Sequence, residues 1–204
     1  QREKTGRPTA TQPGPTARKY RRRHPAPGGS HLHEDRSAPI GNSILLPITM
    51  PAALDDIIHL FEELPESERR GLLVHYADSA RHCAPQPGET FDLEDVRKDE
   101  ECTDTVGIHL RVDENNHASF RVSLGHEVQT LTRAMTAILC KGLHGTSPED
   151  ILALEADFVP RLIGAELVRQ RSQTVYYVLG RMKAALTVWR NRRRAASTEP
   201  DHQS

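Results

Sequence analysis

The chain has 204 residues, 36 % of them apolar and 4 % aromatic, enough for one domain with tails but too lean to be packed throughout. Its net charge of −1 conceals a split: residues 1–49 carry nine Arg and Lys against three acids, which is +6 and leaves −7 on the rest. No apolar run approaches the ~20 residues of a membrane span, and Ser43 to Met50 is short and interrupted by Pro47. No secretory pattern opens the chain, and three cysteines, an odd number without a CxxC spacing, argue against a disulfide framework, so free thiols in a reducing cytoplasm are expected.

Residues 1–49, rich in Pro, Gly, Thr, Ser and Arg and without any period, read as a disordered basic tail. Met50 reads as the true initiator, because every periodic segment follows it. Leu54, Ile57, Ile58, Phe61 and Leu64 lie on one helical face. Pro65 breaks that run and opens a second helix, which uses Leu72, Leu73, Tyr76 and Ala77. Residues 84–105, with Pro, Gly and many acids, read as a long mobile loop.

Val106, Ile108, Leu110 and Val112 alternate with polar residues, and so do Ala118, Phe120, Val122 and Leu124. The Asp113–Asn116 turn between them makes a β-hairpin with one buried face, which needs helices to cover it. Leu131, Met135, Ile138 and Leu139 form the next helical stripe, closed by Gly142 and Gly145. Ser147, Pro148, Glu149 and Asp150 have the residue types of a helix start. A last helix from about Ser172 to Arg190 uses Val175, Leu179, Met182, Leu186 and Trp189, and Arg190, Arg192, Arg193 and Arg194 then complement its C-terminal dipole. The expected fold is α+β: a small antiparallel β-sheet with a hairpin core, packed against several α-helices. The folded domain spans 50–195, and 196–204 form a disordered C-terminal tail.

Three cysteines differ in context. Cys102, in Glu101-Cys102-Thr103-Asp104-Thr105-Val106, stands on a polar loop just ahead of a strand, where another protein can reach it. Asp99, Glu100, Glu101 and Asp104 oppose its ionisation, and no His or Lys adjoins it, which suits an acceptor activated by a partner rather than a resting hydrolase nucleophile. Cys140, beside Leu139, reads as an inert buried hydrophobe. Cys83 follows His82, with His75 further back, but two histidines and a thiol without a fourth ligand are weak grounds for a metal site, and none is expected. His31 and His33 lie in the tail and are no better.

The order of these signals from Leu54 to about Leu186 resembles the SufE family and its CsdE branch, the Fe–S metabolism-associated domain. Gly145-Thr146-Ser147-Pro148-Glu149-Asp150-Ile151-Leu152, followed by Phe158, Leu162 and Gly164, is similar to that family's G-x-[ST]-P-E-E-I run and the segment after it. Leu64-Pro65, Glu68-Arg69 and Tyr76-Ala77-Asp78 are similar to its first helices. Cys102 falls at its sulfur-accepting cysteine, Val106 at its valine, and Arg171 at its S-R-x-x-G-L arginine. Thr103 stands in place of a glutamine, Gln170 of a serine and Thr174-Val175 of Gly-Leu, and the Asp-Ser expected near Gly125-His126 is missing.

The resemblance implies a carrier that takes persulfide sulfur from a cysteine desulfurase, a SufS-like pyridoxal phosphate enzyme, onto Cys102. The carrier passes the sulfur to a SufBCD-like iron–sulfur scaffold and raises desulfurase turnover. It implies an accessory rather than a stand-alone catalyst, without metal or organic cofactor, in which Arg171, Thr103 and Asp104 contact the partner. Two rivals stay open. One is a degenerate docking domain that binds a desulfurase without carrying sulfur. The other is a protein acting on nucleic acid through Arg18-Lys19-Tyr20-Arg21-Arg22-Arg23, against which the acidic body argues. Neither a membrane nor a specific nucleic-acid partner is expected.

Overall fold

A computed structural model describes residues 50–98 and 105–198. The chain begins with two helices, α1 (Ala52–Glu63) and α2 (Glu66–Ser79), separated where Leu64 turns extended and Pro65 caps α2. Leu54, Ile57, Ile58 and Phe61 of α1 are buried, as the helical spacing predicts, and α2 adds Leu73, Tyr76 and Ala77. Phe61 stacks on Tyr76 at 5.8 Å between ring centroids, which fixes one helix against the other. A 3-10 turn, Ala80–Cys83, follows α2.

The sheet has three strands rather than the two of the expected hairpin. Within the segment read as a loop, β1 (Leu93–Lys98) pairs antiparallel with β2 (Thr105–Val112), which pairs with β3 (Ala118–Leu124), giving the order β1-β2-β3. The β2–β3 register sets Val106 opposite Leu124 and Val112 opposite Ala118, as the two alternating runs require. Asp113 organises the turn: its Oδ1 accepts the backbone N–H groups of Asn115 and His117, and Asn116 takes the left-handed conformation at φ 61°.

The central strand departs from the expectation of one buried face. Val106, Ile108 and Leu110 face the helices, but Gly107 and His109 on the other face are also buried. Phe91, from the chain leading into β1, lies 5.1 Å from the His109 ring, and Ser123 Oγ is 3.2 Å from its Nε2. The segment read as a free loop therefore covers part of the outer face.

Helix α3 (Thr130–Gly142) crosses between α1, α2 and the sheet, and buries Ala134, Met135, Ile138 and Leu139. The helix start read at Ser147 is real. Ser147 Oγ accepts the Asp150 backbone N–H at 3.1 Å and Pro148 occupies the first turn of α4 (Pro148–Ala153). A short α5 (Val159–Ile163) ends at Gly164, whose φ of 84° suits glycine.

The last helix, α6 (Ala165–Thr198), is longer than expected at both ends. It breaks at Arg171, where φ is −134° and ψ 32°, so the expected start near Ser172 marks an internal kink after a shorter helical segment. Its buried face holds Val175, Leu179, Met182, Leu186 and Trp189, the five residues expected there, together with Val178 and Ala185. Because α6 continues past residue 195 to Thr198, its arginine run lies inside the helix and no basic residue occupies the last turn. The run is held locally instead, with Arg193 5.0 Å over the Trp189 ring. Lys183 ties α6 to the end of α4 by donating to the carbonyls of Leu152, at 3.2 Å, and Leu154. No helix among the described residues is long and apolar enough to cross a membrane.

Candidate functional site

Cys102, Thr103 and Asp104 lie outside the described residues, as does the basic cluster of residues 18–23. Strand register nevertheless fixes where the chain around Cys102 departs and returns. Lys98 and Thr105 are Cα partners, so residues 99–104 join neighbouring ends of antiparallel strands. That end of the sheet is firmly built. Val106 is fully buried and pairs with Arg97 on one side and Leu124 on the other. Gly125 N–H donates to Thr105 O at 2.8 Å, which ties the turn after β3 to the first residue of β2.

The same turn leads to Arg171. Gln129 and Thr130, at the start of α3, line a hollow of about 500 Å³ together with Arg70, Leu167 and Arg171. Arg171 is exposed, stands at the break of α6 and has no ion-pair partner among the described residues. The β3–α3 turn thus touches both the strand end that leads to Cys102 and the hollow that holds Arg171.

Arg97, Arg181 and Arg70, near this end, are engaged. Arg97 holds both carboxylate oxygens of Asp95, and Arg181 of α6 lies 3.2 Å from Asp95 Oδ2 while donating to the Asp95 carbonyl at 2.9 Å. The hydrogen bond from Arg97, followed by the charge of Arg181, holds the Asp95 carboxyl below its ordinary range against the opposing effect of burial. Arg70 pairs with Glu66 on the surface.

The remaining thiols lie on the elements their sequence contexts indicate, Cys83 just after α2 and Cys140 on α3. Cys140 is half-buried and lines the same cavity as Cys83, at the opposite end of α3 from the β3–α3 turn. Fifty-seven positions of chain separate the two, so no local pattern signals the meeting. His75 is exposed, and His82 Nε2 lies 3.3 Å from Arg81 Nε. Among the described residues no three His, Cys, Asp or Glu side chains are gathered as a metal ion would need.

Comparison with known proteins places this geometry. The family described as SufE, Fe–S metabolism associated domain, matches residues 55–186. The chain belongs to the SufE family. Two SufE-like proteins from two strains of Mycobacterium tuberculosis, both described as uncharacterized, are 28% identical to it over 141 residues, covering 69% of this chain and 95% of each relative. A hypothetical protein from Thermus thermophilus, solved in solution, is 24% identical with a TM-score of 0.50, covering 74% of this chain and all of that one; this likeness concerns the fold. The SufE match includes Cys102 and Arg171, and it ties the chain to Fe–S metabolism.

Proposed function

We propose that the chain is a sulfur acceptor, in which Cys102 takes a persulfide sulfur from a cysteine desulfurase and delivers it to an iron–sulfur assembly scaffold. The observation that carries this reading is the SufE match across residues 55–186, within which Cys102 falls in the connection between two paired strand ends. The Cys102 thiolate attacks the outer sulfur of the donor persulfide. A new S–S bond forms on Cys102, the donor S–S bond breaks, and the donor cysteine leaves as its thiolate. Oxidation level is conserved, so the step needs no redox cofactor on the acceptor.

The acidic residues around Cys102 disfavour its thiolate when the protein is alone. Docking on a pyridoxal phosphate desulfurase supplies the missing positive field, with Arg171, Thr103 and Asp104 in contact with that partner. Exposure of Arg171 and its lack of an ion pair among the described residues support such a role. Residues 50–195 form the acceptor domain, and the reaction belongs to the cytoplasm, where thiols stay reduced.

The test is intact mass under non-reducing conditions after mixing the full chain with its desulfurase and L-cysteine. Wild type should gain one sulfur mass, Cys102→Ala should not, and Cys83→Ala should. Binding without any gain in wild type would replace this reading with that of a docking domain, the reading favoured by the exchanges at Thr103, Gln170, Thr174 and Val175.

A further inference from the structure

Two thiols distant in sequence meet at the far end of the sheet from the β1–β2 connection. Cys83 closes the 3-10 turn after α2, Cys140 stands in the last turn of α3, and both are free. The 3-10 turn packs directly against α3, which brings the two thiols together. Both thiols line a cavity of about 450 Å³. Arg111, Arg121 and Lys141 make its wall basic, and the one acid there, Glu89, is clamped by Arg121 at 2.8 and 3.0 Å. Arg121 also donates to His82 O at 3.3 Å, which anchors the 3-10 turn carrying Cys83.

The two sulfurs are not equivalent. The neighbouring Cys140 thiol and the charge of Arg121 lower the pKa of Cys83 against the effect of burial. The neighbouring Cys83, together with burial, pushes Cys140 well up. One thiol is thus prepared to attack and the other to hold its proton. The cavity borders Arg111, six residues along β2 from Thr105, a separation of roughly 20 Å along a strand. This pair is therefore remote from the paired Lys98 and Thr105 ends of β1 and β2.

We propose that Cys83 and Cys140 form an oxidisable dithiol site that takes a small hydroperoxide and closes to an intramolecular disulfide. In the first step the Cys83 thiolate attacks the peroxide oxygen. The O–O bond breaks, Cys83 becomes a sulfenic acid, and the peroxide leaves as an alcohol or water after gaining a proton. In the second step the Cys140 sulfur attacks the sulfenic sulfur. The S–O bond breaks, and the hydroxyl takes the Cys140 proton and departs as water. The two thiols together lose two electrons and the peroxide gains them. A thiol reductant reverses the bond, and the resolving thiol keeps Cys83 from proceeding to the sulfinic acid.

The experiment uses the full chain carrying Cys102→Ser, which leaves only these two thiols. The reduced protein is freed of reductant, treated with one equivalent of hydrogen peroxide and analysed by intact mass and peptide mapping. The expected result is loss of two hydrogen masses, a peptide joining Cys83 to Cys140, and full reversal by dithiothreitol. Adding Cys140→Ser should leave a Cys83 sulfenic acid that dimedone traps, whereas adding Cys83→Ser should leave Cys140 unmodified. The two-thiol chain needs no substitution at the cavity, so its result stands whether or not those variants fold. Added oxygen without a cross-link, a disulfide only between two chains, or two thiols that survive peroxide unchanged would each overturn the proposal.

Discussion

Asp95 is the residue on which the attachment of α6 to the edge of the sheet turns. Its side chain is 15% exposed and that of Arg181 12%, so this ion pair is largely shielded from solvent. Asp95→Asn keeps the shape but removes the charge, and should cost about 1–3 kcal/mol at pH 7, as for a buried hydrogen bond to a charged group. The folded-state pKa of Asp95 is depressed, chiefly by Arg97. The contribution is therefore fully present above the unfolded value of ~3.9 and fades as pH falls through the lower folded value. Urea unfolding of both proteins across pH should show the gap narrowing below about pH 4. A gap that stayed constant down to pH 2 would mean that the carboxylate charge plays no part.

At the scale of elements, Gly142 closes α3 as expected and has a second role the sequence does not show. As the last residue of that helix it packs on α1. A Cβ added there would stand 2.9 Å from Leu54 Cδ1 and 3.0 Å from Leu54 Cα. Leu54 is fully buried and cannot swing aside, so α1 itself must shift. Gly142→Ala gains up to ~1 kcal/mol of helix propensity but incurs about 1–3 kcal/mol of overpacking. The expected net result is a lower urea midpoint at unchanged m-value, whereas a higher midpoint would show that α1 yields freely.

The same contrast separates what was legible from what was not. Helices α1 and α2, strands β2 and β3 and the Ser147 cap were legible because periodicity and capping are local. Strand β1 was not. In Leu93-Glu94-Asp95-Val96-Arg97-Lys98 the two apolar residues are three apart and so point to opposite faces, with Leu93 buried and Val96 58% exposed. Pairing with β2, a long-range fact, makes it a strand. Cys102 was singled out by its resemblance to a family position, while the Cys83–Cys140 meeting depends on packing of the 3-10 turn against α3 and leaves no trace in local sequence.

For the whole molecule, the question is whether the basic residues 1–49 contribute to the fold or to the sulfur chemistry. Among the described residues every buried apolar side chain of the core lies between Leu54 and Trp189, drawn from all the helices and all three strands. Such a core closes on itself, with α3 packed against α1, α2 and the sheet and α6 against α4, α5 and the sheet. Removing residues 1–49 deletes +6 of charge and little apolar material, leaving a body of −7. A chain of residues 50–204 should therefore unfold cooperatively, with a Tm within a few degrees of the full chain, and should gain sulfur on Cys102 at an undiminished rate in physiological salt. The tail's effect should appear in adsorption to polyanions, steep in salt and absent from the shortened chain. A large fall in Tm would place part of residues 1–49 in the folded unit. A stable shortened chain that no longer accepted sulfur would instead assign the tail a part in meeting the desulfurase. The first of these outcomes changes the fold, and the second changes only the encounter, so melting and sulfur uptake measured on the same preparation separate the two.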